Sequence, residues 1–188
     1  MQYDEYKYQA DNNIKITYKE RAKGLHMPLY QCPICEKEFA MTSKGTTLRC
    51  SNCNATWEMD ELGKLIKVTR DDNSKIDFSH IPDWYEWERK QVECQIDAGQ
   101  YHLDCRVKIE ALPNAVNFID CGEGRIRHEK EGFYLTFYDY RKGGETTMFF
   151  SSKSLFSIHT EYDYRSKKGQ CVTLSTEEDT YFIYPLEE

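Results

Sequence analysis

Four cysteines occur as two closely spaced pairs in the first third of the chain. Two residues separate Cys32 from Cys35 and Cys50 from Cys53, and fourteen residues lie between the pairs. Each C-x-x-C pair suits a tight turn that directs two thiolates at one ion, and a hairpin between the pairs brings the turns together. Four thiolates fill a tetrahedral shell and leave no position for water. The spacing therefore predicts one structural zinc ion and no catalytic metal.

Three alternatives to zinc follow from the same residues. Two disulfides are disfavoured because residues 1–8 lack a basic start followed by an apolar run, so we expect no signal peptide and a cytoplasmic, reducing setting. A thioredoxin-like redox pair is disfavoured because no βαβ pattern surrounds the cysteines. Iron stays open, since four thiolates suit both metals. Turns of this kind favour glycine after the second cysteine, where this chain has Glu36 and Asn54.

The remaining cysteines and the histidines show no metal-ligand spacing. We expect the other four cysteines to pack in the core, because free cysteine is commonly buried; they are Cys94, Cys105, Cys121 and Cys171. None of the five histidines is assigned as a ligand. His80 has no neighbouring nucleophile motif, and we expect it to cap or pack against the helix predicted to follow it.

The elements that position these residues follow from hydrophobic periodicity. Two hairpins are predicted in the cysteine region, from strands at 38–41, 46–49, 55–59 and 65–68. Residues 70–79 are polar and turn-rich, which is typical of a linker. A helix is predicted from Pro82 to Gly99, with acidic residues in its first turns. Beyond it, period-two patterns predict strands at 101–111, 116–120, 124–129, 133–139, 146–150, 155–164, 170–175 and 180–184.

These elements predict a mainly β protein with one connecting α-helix. Regularly spaced short strands separated by glycine-containing turns favour a small antiparallel β-barrel in the second half. We divide the chain into a trailing segment of a preceding domain (1–23), a four-cysteine zinc ribbon (24–70), a linker and aromatic helix (71–99) and the β-barrel (100–188).

Three large aromatic side chains crowd the start of the predicted helix. Trp84, Tyr85 and Trp87 cannot all face one core, so they either anchor the helix onto neighbouring structure or lie at a membrane surface. The second option is weakened by the net charge of −7. The longest stretch without a charged residue, 24–35, is too short to cross a membrane.

Several motifs together resemble one protein family. They are residues 30–35 (Tyr-Gln-Cys-Pro-Ile-Cys), 45–50 (Gly-Thr-Thr-Leu-Arg-Cys), 55–58 (Ala-Thr-Trp-Glu), 80–89 (His-Ile-Pro-Asp-Trp-Tyr-Glu-Trp-Glu-Arg), 123–128 (Glu-Gly-Arg-Ile-Arg-His) and 131–133 (Glu-Gly-Phe). The pattern resembles the C-terminal extension of clostridial-type 1-acyl-glycerol-3-phosphate acyltransferases over nearly the whole chain. The resemblance implies an N-terminal catalytic domain in the same polypeptide, a pleckstrin-homology-like barrel here, and a place in phospholipid biosynthesis.

The chain departs from that family in its chemistry. The family's His-x4-Asp motif uses histidine to take the proton of the acceptor hydroxyl, and no histidine here is followed by aspartate at the fifth position. We therefore expect a non-catalytic accessory or regulatory region, inactive alone, with the acyltransferase domain as its partner. We expect a cytoplasmic location, with the β-barrel docked either against the catalytic domain or against phospholipid at the inner face of the membrane.

A stand-alone zinc-ribbon protein that binds nucleic acid or another protein is the alternative. Its basis is the local charge of +3 over residues 21–57. We do not expect nucleic acid, because residues 58–188 carry −9 and would repel phosphates. A protein partner would instead be bound through Trp84 and Trp87.

Overall fold

The computed structural model describes residues 4–69, 77–155, 157–167 and 169–186. The chain divides into two compact units, Met1–Cys94 and Gln95–Glu188, which we call the first and second units. The predicted linker lies largely on residues 70–76, outside the described residues. Within the described residues, no helix combines the length and apolarity needed to cross a bilayer.

The first unit contains a four-stranded antiparallel meander. Its strands are β1 (Met41–Lys44), β2 (Thr47–Cys50), β3 (Thr56–Met59) and β4 (Leu65–Lys67), and they pair in that order. The second predicted hairpin is confirmed. In the first predicted hairpin, β1 lies three residues later than predicted, because Phe39 has a φ of +56°, which ends any extended run there. Strand β2 lies one residue later than predicted, and the turn between the strands contains Gly45, whose φ is +62°.

The predicted aromatic helix is confirmed as α2 (Ile81–Asp97). Trp84 on α2 meets Trp57 on β3, with ring centroids 4.8 Å apart, and both side chains are fully buried. Leu29, Leu48 and Leu65 belong to the same core cluster. The helix therefore takes part in the core of the first unit through its first turns.

The N-terminal segment contains a helix that the sequence analysis did not identify. Helix α1 (Glu5–Asp11) is capped by the Asp4 carboxylate, which accepts a hydrogen bond from the Lys7 amide at 2.9 Å. Tyr6 packs against the core of the first unit, and the Arg21 guanidinium donates to the Met59 carbonyl oxygen. The described part of 1–23 thus lies within the first unit, and its origin in a preceding domain stays a prediction.

The second unit is a seven-stranded antiparallel sheet. Its strands, in chain order, are β5 (Leu103–Pro113), β6 (Ile119–Glu129), β7 (Gly132–Asp139), β8 (Gly144–Ser151), β9 (His159–Tyr162), β10 (Gln170–Ser175) and β11 (Asp179–Pro185). Their order across the sheet is β8-β7-β6-β5-β11-β10-β9. The mainly β, antiparallel character is confirmed. Among the described residues β8 and β9 are the sheet edges and are not paired with each other, so no closed barrel is found.

Two strand predictions in this unit are wrong. The predicted turn at 121–124 lies inside the continuous strand β6, with a bulge where the register shifts between Ile109 and Glu110 of the partner strand. Gly124 has no room for a side chain, because the Thr136 carbonyl oxygen approaches it closely. Of the predicted strand at 155–164, residue 156 lies outside the described residues, and the described part forms a strand only at β9, which is followed by a 3-10 turn at Tyr164–Ser166.

Candidate metal centre

The four predicted ligands converge on one point. Their sulfur atoms all lie within 4.8 Å of one another, with Cys32 Sγ 3.6 Å from Cys53 Sγ and Cys35 Sγ 3.7 Å from Cys50 Sγ. A tetrahedron of thiolates around zinc at about 2.3 Å has edges of about 3.8 Å, whereas a disulfide bond is only about 2.05 Å long. The cluster can therefore hold a metal ion and is consistent with zinc.

Two turns with the same hydrogen-bond pattern present these thiols. In the first, the Glu36 amide donates to the Cys32 carbonyl oxygen at 2.8 Å. In the second, the Asn54 amide donates to the Cys50 carbonyl oxygen at 2.9 Å. The second turn follows directly from β2, so the meander fixes its position relative to the first.

Both turns place a non-glycine residue in the left-handed region. Glu36 has a φ of +58° and Asn54 a φ of +63°, at the two positions where the sequence lacks the favoured glycine. Asparagine tolerates this region, and Asn54 also accepts a hydrogen bond from the Arg49 guanidinium at 2.6 Å. Glutamate has no such advantage, so the first turn carries more backbone strain.

We predict that Glu36→Gly stabilises the metal-loaded protein by about 0.5–1 kcal/mol, because glycine relieves the strain at a small cost in unfolded-state entropy. Urea titration followed by circular dichroism measures the change. Lys37→Gly is the matched control: its φ is not positive, so it should destabilise the protein by a similar amount. If Glu36→Gly and Lys37→Gly shifted stability in the same direction, backbone strain at Glu36 would be contradicted.

Burial and main-chain hydrogen bonds act in opposite directions on the cysteine thiols. Burial raises the pKa of Cys32, although the Cys35 and Ile34 amides donate to its sulfur. At Cys35 burial opposes ionisation, but the Asn52 side chain, which donates to its sulfur at 3.4 Å, and the Lys37 amide bring the pKa down to about 7. Cys35 therefore ionises more readily than a free thiol. Asn52, which lies inside the second C-x-x-C pair, was not predicted from the sequence as part of the site.

Helix α2 supports the first turn through a buried carboxylate. Glu88 is only 1% exposed, and one of its oxygens accepts a hydrogen bond from the Gln31 amide at 2.8 Å. The Trp84 indole donates to the Gln31 carbonyl oxygen at 3.0 Å. Both main-chain polar groups of the residue before Cys32 are therefore held by α2. The other oxygen of Glu88 has no hydrogen-bond partner among the described residues.

Glu88 gives the first unit a predictable pH dependence. Burial raises its pKa from 4.5 to about 7, so the folded state keeps a proton that the unfolded state loses between those values. The free energy of unfolding then falls as pH rises from about 4.5 to 7, and the loss is complete above 7.

We expect Glu88→Gln to raise stability more at pH 8.5 than at pH 6, by about 1.4 kcal/mol, because the amide keeps an acceptor for Gln31 and carries no charge at either pH. Melting temperatures of the metal-loaded proteins at both pH values test this. Glu86→Gln is the control, since the Glu86 side chain is partly exposed beside Arg89, and it should shift both temperatures equally. A pH-independent effect at Glu88 would contradict the titration argument.

The other cysteines are only partly placed as predicted. Cys121 and Cys171 are buried and Cys105 is half-buried, whereas Cys94 is exposed, so core packing is wrong for Cys94. None of them joins a metal-binding group within the described residues.

His80 lies at the start of α2, as predicted. Its carbonyl oxygen accepts hydrogen bonds from the Asp83 and Trp84 amides. Its ring lies 2.9 Å from the Asp4 carboxylate, which joins α2 to the cap of α1.

The three candidate interaction residues occupy different environments. Trp84 lies in the core, Trp87 is half-buried with its ring centroid 5.8 Å from that of Phe78, and Tyr85 is 50% exposed. The helix-anchoring interpretation therefore describes Trp84 and Trp87, and Tyr85 is the only one of the three that is exposed.

Comparison of the chain with protein-family models, with curated proteins and with solved structures found no match.

Proposed function

We propose that Cys32, Cys35, Cys50 and Cys53 hold one structural zinc ion. The observation that carries this is the distance between the paired sulfurs, 3.6 and 3.7 Å, which matches the edge of a zinc–thiolate tetrahedron. Two of the ligands are buried, and four thiolates leave no coordination position for a substrate. Metal analysis of protein purified without added metal tests the identity: one equivalent of zinc supports it, and one of iron contradicts it.

We further propose that the chain is a non-catalytic accessory region of a phospholipid/glycerol acyltransferase that acylates lysophosphatidic acid. The support is the resemblance of its motifs to the C-terminal extension of that family, together with a metal shell that leaves no position for a substrate. Its partner is then the catalytic domain of the same polypeptide, at the cytoplasmic face of the membrane. Seven antiparallel strands with short connections are compatible with a pleckstrin-homology-like barrel as the fold of the second unit.

The size of the native product in its source cell tests the acyltransferase proposal. An antibody against this chain should detect a band larger than 22.3 kDa by a whole domain, about 20–30 kDa more. Lysophosphatidic acid acyltransferase activity should then be present in the full protein and absent from this chain alone. A band at 22.3 kDa, or a larger protein without that activity, would overturn the proposal.

A further inference from the structure

The second unit exposes one edge strand without the usual protection against pairing. Strand β8 is eight residues long and pairs with β7 in an unbroken register from Gly144 to Ser151. Within the described part of the chain, β7 is the only strand paired with it. Its sequence, Gly-Glu-Thr-Thr-Met-Phe-Phe-Ser, has no proline, lysine or arginine. Natural sheets normally block such edges with charges, prolines, bulges or short strands.

The opposite edge of the same sheet is blocked in these ways. Strand β9 is only four residues long and fully exposed. It carries the charged Glu161, whose carboxylate lies 2.9 Å from the His159 ring. The two edges therefore differ: one is short and charged, and the other is long, regular and nearly uncharged.

The side chains of β8 also favour pairing. Phe150 is buried in the core and Met148 packs against it, so alternate residues face inwards. Glu145, Thr147 and Phe149 face outwards, and Phe149 is 51% exposed. A strand added beside β8 would cover one flank of Phe149 and would bond main-chain groups on the side of β8 that faces away from β7.

We propose that β8 pairs antiparallel with β8 of a second copy of this chain about a two-fold axis. The sequence of β8 favours a second copy of β8 as the strand that pairs with it. Residues opposite each other in a sheet share a face, so an odd-numbered residue must oppose an odd-numbered one. Only two registers then keep seven of the eight residues paired. One places Phe149 opposite Glu145, and the other is centred on Met148.

The register centred on Met148 is the better match. It places Thr147 opposite Phe149, Thr146 opposite Phe150 and Glu145 opposite Ser151, so aromatic rings lie beside β-branched residues and the two glutamates are far apart. A parallel pairing in register would instead bring the glutamates together. Because the other edge is blocked, the contact closes as a dimer and does not propagate into a fibre.

Sedimentation velocity of the metal-loaded full chain tests the proposal. We expect a discrete species of twice 22.3 kDa at micromolar concentrations. Thr147→Lys with Phe149→Lys places like charges opposite each other twice in the dimer, and should weaken dimerisation at least about tenfold. Tyr138→Lys with Tyr162→Lys is the matched control: it adds the same charge at exposed tyrosines on β7 and β9 and should leave the dimer intact.

Crosslinking tests the register. In a Cys94→Ser background, Met148→Cys should form an interchain disulfide, because opposing Cα atoms lie about 4.5–5.5 Å apart. Thr146→Cys faces the same side of the strand but lies about 13 Å from its counterpart in this register, and should not crosslink. A monomer at all concentrations, a dimer that persists in the lysine variant, or a crosslink at position 146 and not 148 would overturn the proposal.

Discussion

Replacing Cys50 by serine is expected to unfold the first unit and to leave the second unit folded. Cys50 is completely buried, and serine neither ligates zinc effectively nor fits an apolar site without a hydrogen-bond partner. Apparent binding free energies of structural zinc are about 10–16 kcal/mol in small zinc domains, which exceeds the stability of most domains of this size. The second unit has its own hydrophobic clusters and contains none of the four ligands.

Limited proteolysis and zinc analysis measure this outcome. The Cys50→Ser protein should lose its metal and yield a protease-resistant fragment beginning near Gln95, and a strong chelator should produce the same fragment from the unmodified chain. Two serine variants serve as controls. Cys94→Ser removes an exposed thiol and Cys171→Ser a buried one outside the cluster, and both should retain one zinc. A Cys50→Ser protein that keeps its metal and its melting temperature would show that the site is not structural.

Trp84→Ala is expected to destabilise the first unit by about 3–5 kcal/mol. The indole is fully buried against Trp57, and its N–H donates to the Gln31 carbonyl oxygen, so alanine leaves both a cavity and an unpaired buried acceptor next to the metal turn. Urea unfolding followed by circular dichroism gives the magnitude. Tyr85→Ala on the same helix is the control and should change stability by less than about 0.5 kcal/mol.

The same two variants separate packing from membrane anchoring. If Trp84 is a core residue, Trp84→Ala lowers stability and has no separate effect on co-sedimentation of the folded protein with anionic vesicles. If any aromatic residue of this group contacts lipid, the exposed Tyr85 is the one whose loss should reduce vesicle binding. Vesicle binding abolished at unchanged stability in Trp84→Ala would contradict the packing role.

The metal cluster and α2 were predictable because their signals are local. Ligand spacing of C-x-x-C type fixes a turn geometry within four residues, and α2 combines an early proline with acidic first turns. Glu88 could also have been identified, since it lies at helical spacing from Trp84 on the face that packs inwards. A charged residue at that position indicates a buried, hydrogen-bonded carboxylate.

The missed features depend on contacts between distant segments. Helix α1 has only seven residues, so its stability comes from the packing of Tyr6 on the rest of the first unit, which local propensity does not report. In β6, the glycines led to the prediction of a turn from the sequence. The structure uses Gly124 for the close approach of β7 instead, and that approach exists only after the strands have paired.

The strand order has a consequence for how the chain acquires its structure during synthesis. Cys32 and Cys53 are 21 residues apart, so the metal closes a short loop. The central pairing of the large sheet joins β5 to β11. Between these two strands the Tyr184 hydroxyl donates a hydrogen bond to the Glu110 carboxylate, 74 residues away in sequence. Folding slows as contacts become less local. The ribosome must therefore release every residue through β11 before the large sheet can form, while the metal turns are able to assemble much earlier.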